Sequence, residues 1–293
     1  MGPGSFVSAS HPAVNHPSPV ASLPPPSLSL MELVNDFLKA KARANRSDRY
    51  LWALRNSLSK FTYGRARTPA GDITPEQIEK WLAASSWANR TKRGYLSDVS
   101  ILYSYAIKRG LLTFNPARAV ELPTFVAPPP QIHSPAQVKT VLKFARRYQI
   151  NICRALAIRY FAGLRSSEVD RIEETEISER FIEVTAAKCK TRRRRLVEVC
   201  PTLSAWLALG GVLPVLDVSQ RWRMFTAALL KAEGITWPSN VTRHSFCSYH
   251  LAQHQNAGKT AFAAGHSEQM LFAHYRELVT PDAAAEFWAI RPD

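Results

Sequence analysis

Only one stretch of this 293-residue chain alternates apolar and polar residues clearly at period two. Phe181-Ile182-Glu183-Val184-Thr185 and Leu196-Val197-Glu198-Val199 read as two short strands, and the other periodic segments repeat at three and four. Two strands make no independent sheet core, so the expected fold is mainly α with a small β-hairpin supported by helices. Between the strands lies Ala187-Lys188-Cys189-Lys190-Thr191-Arg192-Arg193-Arg194-Arg195. Six cations in eight residues repel one another unless a polyanion lies against them, which points Lys188, Arg192, Arg193, Arg194 and Arg195 toward DNA phosphates.

The helices divide into two groups. Residues 1–28 are rich in Pro, Ser and Ala without a period, and read as a disordered tail. Residues 29–122 read as a small all-helical domain. Ser29 and Glu32 make a capping-box pattern before Leu30, Leu33, Val34, Phe37 and Leu38. A second helix carries Leu51, Leu54, Leu58 and Phe61. Thr74-Pro75 starts a third, and a fourth runs from about Asn89 to Lys108. The fourth opens on Asn89-Arg90-Thr91-Lys92-Arg93, where amides, a hydroxyl and cations suit a phosphate, the alternative being a solvated basic turn. Residues 123–133, with Pro128-Pro129-Pro130, read as an extended linker. Residues 134–293 form a second domain opened by the cap Ser134-Pro135. It continues through a mostly apolar helix over 152–161, helices near 202–209 and 219–232, and a short helix after Thr280-Pro281. Phe287 and Trp288 on that last helix either cap their own domain or dock on a neighbour.

Charge narrows the partner. With 38 Lys+Arg against 23 Asp+Glu the net charge is +15, which suits a polyanion. No apolar run reaches the roughly 20 residues that span a bilayer, and the N-terminus lacks a secretory pattern, so nucleic acid is favoured over a membrane. Cys153, Cys189, Cys200 and Cys247 form no CxxC pair, which fits a reducing cytoplasm better than a disulfide framework. Cys247, His250 and His254 have helical ligand spacing but lack a second cysteine pair, so packing is expected there and no metal.

Four further motifs complete a pattern. Ala162-Gly163-Leu164-Arg165-Ser166-Ser167-Glu168 places a cation at the turn between two buried helical runs, with Glu168 as its partner or its guide toward a phosphate. Ser239-Asn240-Val241-Thr242-Arg243-His244 opens a helix with Asn240 at its cap position. Gly265-His266 leads into a segment whose Tyr275, nine residues after the histidine, reads by itself as either core or nucleophile. In order and spacing these motifs, with the Lys-Thr-Arg hairpin, resemble the tyrosine recombinases, the phage-integrase family. The resemblance covers nearly all of 134–290, and the helical 29–122 segment is similar to that family's SAM-like core-binding domain.

The resemblance implies a chemistry. Arg165 and Arg243 would hold the nonbridging phosphate oxygens in fork geometry, and His266 would add a donor. Tyr275 would attack phosphorus and form a 3′-phosphotyrosyl bond. A hairpin lysine, Lys190 by its spacing to the downstream strand or Lys188 by its spacing to the upstream one, would protonate the departing 5′-oxygen. The covalent link conserves the bond energy, so no ATP, metal or other cofactor is implied. Asn240 stands where the family usually carries a histidine; it can hydrogen-bond a phosphate oxygen or cap its helix but is no base at neutral pH. Implied partners are double-stranded DNA, three further protomers in a homo-tetramer on two recombination sites, and accessory DNA-bending proteins, in a cytoplasmic, nucleoid-associated setting. A catalytically impaired DNA-binding homologue and a type IB topoisomerase-like strand cleaver are the alternative readings.

Overall fold

The computed structural model describes residues 28–122, 128–189, 194–215, 217–275 and 279–293, with 272–275 described in their backbone alone. The expected disordered tail, most of its residues, and the first five residues of the expected linker lie outside these. Two compact units are resolved, dividing between Val126 and Ala127. Among the described residues no helix is long and apolar enough to cross a membrane.

Among the described residues the first unit packs four α-helices: α1 (Leu30–Arg43), α2 (Asp48–Thr62), α3 (Pro75–Ala83) and α4 (Asn89–Lys108). Local chemistry starts them. Ser29 and Glu32 close a reciprocal capping box, and Thr74 does the same with Gln77 ahead of Pro75. Each helix then buries one stripe: Leu30, Leu33 and Phe37 of α1, Leu54, Leu58 and Phe61 of α2, Ile78 and Leu82 of α3, and Val99, Leu102 and Ala106 of α4. Tyr103 is also buried there, and its hydroxyl donates to the Ala70 carbonyl at 3.0 Å, so its polar tip is satisfied inside the core.

The second unit is built on an amphipathic helix followed by a mostly buried one. α5 (Pro135–Tyr148) begins in a capping box of Ser134 and Gln137, and α6 (Ile150–Phe161) follows. α6 buries Ile152 through Phe161 almost without a break, save Arg154. A one-turn helix α7 (Ser166–Val169) leads to β1 (Phe181–Val184) and β2 (Arg195–Glu198), an antiparallel pair with Phe181 opposite Glu198 and Val184 opposite Arg195. Then come α8 (Pro201–Leu207), α9 (Val218–Glu233), α10 (Val241–His254), α11 (Ala257–Ala264), α12 (Glu268–Tyr275) and α13 (Pro281–Trp288). α10 is the second hub: nine residues between Val241 and His250 are buried. Phe287 of α13 is fully buried in its own unit, stacked on Tyr249 at 4.2 Å and beside Phe161 at 5.1 Å. This is the first of the two roles that the sequence leaves open for it.

Candidate active site

The site is assembled from the turns that end helices. After α6 the chain reverses at Gly163, whose φ of +64° lies in the left-handed region. A Cβ there would also come within 2.2 Å of the Phe246 ring, so only glycine fits. After α11 the chain reverses again at Gly265, φ +62°. These two turns present their carbonyls to two arginines in a crossed arrangement. Arg243 Nη1 donates to Gly163 O at 2.6 Å, and Arg165 Nη2 donates to Gly265 O at 2.6 Å. Arg243 therefore pins the turn that carries Arg165, two residues after Gly163, and Arg165 pins the turn at Gly265 that directly precedes His266.

Arg243 is buried in the first turn of α10. Its Nη2 donates to Ala264 O and its Nε to His266 Nε2 at 3.1 Å. Because Arg243 donates, Nε2 of His266 is the acceptor, and the proton of the neutral ring sits on Nδ1. A donor role for His266 thus falls to Nδ1. Burial, the first cause, pulls the Arg243 pKa down to about 10, which still leaves it charged at neutral pH.

Arg165 meets Glu168 one turn on. Glu168 Oε1 accepts from Arg165 Nη1 at 2.9 Å and Oε2 from its backbone N–H at 2.9 Å. The same carboxylate accepts two further bonds, from Arg195 Nη2 at 2.7 Å and Nη1 at 3.2 Å. Burial opposes ionisation of Glu168, but the bonds and charge of Arg195, followed by the bonds of Arg165, outweigh it and hold the carboxyl at about 2.

Arg195 requires a correction. The sequence groups it with the exposed cations of the hairpin tip, yet it is only 7% exposed and bonded to Glu168. The cause is strand alternation: the inward face of β2 carries Arg195 and Val197, while Leu196 is 43% exposed. A buried guanidinium needs an acid, and Glu168 is that acid. Lys188 is also engaged, with Nζ held by Glu176 at 2.7 Å and Glu173 at 3.1 Å. Burial lowers its pKa, but these two carboxylates prevail and raise it. Arg194 is exposed and pairs with Glu183 at 2.7 Å. Lys190, Arg192 and Arg193 lie outside the described residues.

Asn240 is exposed at the cap position of α10, but its φ of +57° is left-handed and its side chain caps no amide. A capping side chain folds back over the first turn from an extended backbone, and Asn240 does not have one. Its expected cap role is therefore not realised. Arg90 and Arg93 are exposed and Lys92 half-buried in the first turn of α4. Tyr275 is the last residue of α12, and its side chain lies outside the described residues. Near α10, His250 Nδ1 shares a 2.7 Å hydrogen bond with Thr260 Oγ1, and burial, with His254 and Lys259 nearby, brings its pKa down to about 3. Among the described residues no cluster of His, Cys, Asp and Glu is arranged to hold a metal.

No family model matches the chain. A tyrosine recombinase XerD of Rickettsia conorii is 28% identical over 113 residues, 36% of this chain and only 37% of that relative's length. A tyrosine recombinase of Thermosipho africanus is 25% identical over 196 residues, 61% of this chain and 67% of that one. Among solved structures, the Tn1549 transposon integrase in complex with a circular-intermediate DNA superposes with a TM-score of 0.69 at 15% identity, covering 89% of this chain and 99% of that one. A lambda integrase tetramer bound to a Holliday junction gives 0.70 at 15%, covering 84% and 78%. The resemblance read from the motifs thereby holds twice over: the chain is similar in sequence to tyrosine recombinases and has the fold of the phage integrases.

Proposed function

We propose that the chain is a tyrosine-type site-specific DNA recombinase that cuts and rejoins strands through a 3′-phosphotyrosyl bond. The observation that carries this reading is the crossed pair of guanidiniums. Arg165 and Arg243 are locked by backbone carbonyls, and Glu168, the carboxylate that Arg165 meets, is shared with Arg195. Positive charge held this way in a low-dielectric site has no structural need and suits a phosphodiester whose negative charge grows during substitution.

In the proposed reaction the Tyr275 hydroxyl gives up its proton to water and its oxygen bonds to phosphorus as the bond from phosphorus to the 5′-oxygen breaks. Arg165, Arg243 and the Nδ1–H of His266 bind the nonbridging oxygens, and Lys190 gives its proton to the departing 5′-oxygen. A 5′-hydroxyl from a partner strand reverses the step and completes exchange. Lys188, committed to two glutamates, is the weaker candidate for the acid. Arg90, Lys92, Arg93 and the hairpin cations Arg192, Arg193 and Arg194 would grip the duplex backbone, and Asn240 would sit at the rim of the phosphate site. The DNA complexes among the structural likenesses, one of them tetrameric, support double-stranded DNA as substrate and a tetramer on two sites as the working assembly. Accessory bending proteins and a nucleoid location belong to the same reading.

The test is covalent capture. Wild-type protein incubated with a nicked duplex bearing its selected site should give a protein–DNA adduct that survives denaturing gels, and Tyr275→Phe should bind that duplex without forming it. An adduct persisting in Tyr275→Phe, or wild-type binding with no cleavage at all, refutes the assignment. Relaxation of supercoiled DNA by the monomer without pairing of sites would point to topoisomerase chemistry instead.

A further inference from the structure

Glu168 is surrounded by more positive charge than one carboxylate needs. Its side chain is 1% exposed and accepts four hydrogen bonds, two from Arg165 and two from the Arg195 fork. Those bonds fill the lone pairs of a carboxylate. Arg195 also touches the other parts of the site. Its Nη1 lies 3.4 Å from Cys189 Sγ at the base of the hairpin. Its guanidinium carbon lies 3.2 Å from where a Cβ on Gly265 would stand, under the turn that leads to His266. It therefore fills the space between the hairpin, the Arg165 turn and the His266 turn, without a place in the reaction described above.

Charge gives it one. Arg165, Arg243 and Arg195 with Glu168 leave two positive charges at the site. A phosphodiester carries one negative charge, and two once the Tyr275 oxygen has added to phosphorus. If Arg195 were absent, Glu168 would be neutralised by Arg165 alone, and one positive charge would face two negative ones. We propose that Arg195 is a positioning residue of the reaction: it satisfies Glu168, frees the charge of Arg165 for the scissile phosphate, and holds the base of the lysine hairpin against the same carboxylate. This rests on the recombinase reading, and assigns Arg195 a role distinct from gripping DNA.

The test is single-turnover cleavage of a nicked duplex, its site first selected from random duplexes by the wild-type protein, with either a normal phosphate or a methylphosphonate at the scissile position. A methylphosphonate lacks one negative charge, so it needs one positive charge fewer. Arg195→Met should cleave the normal duplex about 100-fold more slowly than wild type but fall within roughly threefold of wild type on the methylphosphonate. Arg195→Lys, which keeps the charge and loses the fork, should lie between. Glu168→Gln combined with Arg195→Met restores two positive charges and should recover at least about tenfold over Arg195→Met alone. That variant also buries no orphan carboxylate, and it should cleave the normal duplex within about tenfold of wild type, so it reports on the idea even if Arg195→Met fails to fold. Equal losses on both duplexes with no recovery in the double variant, or no loss in Arg195→Met, overturn the proposal. Absence of any adduct from the wild-type protein instead removes the recombinase reading beneath it.

Discussion

Arg159 and Arg243 are buried to a similar degree, at 3% and 5% exposure, and burial draws both pKa values down to about 10. Their surroundings are opposite. Arg159 on α6 pairs with Asp170 and lies over the Trp222 ring at 4.0 Å. Its charge is cancelled by a neighbour that follows α7 directly. The hydrogen bonds of Arg243 go to two backbone carbonyls and a neutral imidazole nitrogen. These take three of its five N–H donors and, among the described residues, leave its charge without an acid. A cancelled buried cation contributes to architecture, whereas an uncancelled one costs desolvation without an ionic return and is kept for what it binds.

The comparison can be broken most directly at Arg243. Arg243→Lys retains the charge but loses the three-way hydrogen bonding, and should slow formation of the covalent adduct by about 1000-fold while shifting the melting temperature by only a few degrees. A large loss of stability with full cleavage in the folded fraction would place Arg243 with Arg159. Arg159→Met should do the reverse, costing about 3 kcal/mol by leaving Asp170 unpaired, at the lower end for a buried pair because Asp170 is a quarter exposed. Urea unfolding measures this, and Arg159→Met with Asp170→Asn should recover part of it. Cleavage by the folded Arg159→Met should remain within about tenfold of wild type.

Glu168 sharpens the comparison through pH. Its folded pKa of about 2 lies below the ordinary 4.5. Its stabilising contribution is therefore complete above pH 4.5 and is lost as pH falls toward 2, a range worth on the order of 3 kcal/mol. Glu168→Gln should flatten the acid limb of a stability–pH curve, and an unchanged limb would mean that the carboxylate is not the anchor of the arginines. The smallest effect contrasts two caps. Ser134→Ala should cost about 1 kcal/mol by removing a working capping box, while Asn240→Gly should cost nothing measurable in thermal melts, since Asn240 caps no amide and its φ is left-handed.

The features legible in the sequence share a short range. Ser29 with Glu32 marks α1 because both capping bonds span three residues, and α4 occupies the expected Asn89–Lys108 because its apolar stripe is periodic and glycine follows. The hairpin pairing of β1 with β2 is legible for the same reason. Arg195 is not legible as a site residue. The alternation over Val197, Glu198 and Val199 places Arg195 on the face of Val197, but a run of cations reads as one solvated group and hides it. A weak signal existed: an arginine two residues before the inward-facing Val197, in a chain with a glutamate three residues after Arg165. Only packing against α7 and the Gly265 turn resolves it.

By itself, then, the sequence determined the mainly helical class, the caps that start its helices and the two strands, because these depend on residues within a few positions of one another; it also set the order of Arg165, the lysine hairpin, Arg243, His266 and Tyr275 along the chain. The tertiary structure alone decided that Gly163 and Gly265 exchange carbonyls with Arg243 and Arg165, that Arg195 turns inward to Glu168, and that Asn240 stays at the surface. Those outcomes depend on which distant segments are buried together, and inside a protein a charge must take whatever partner the packing brings within reach.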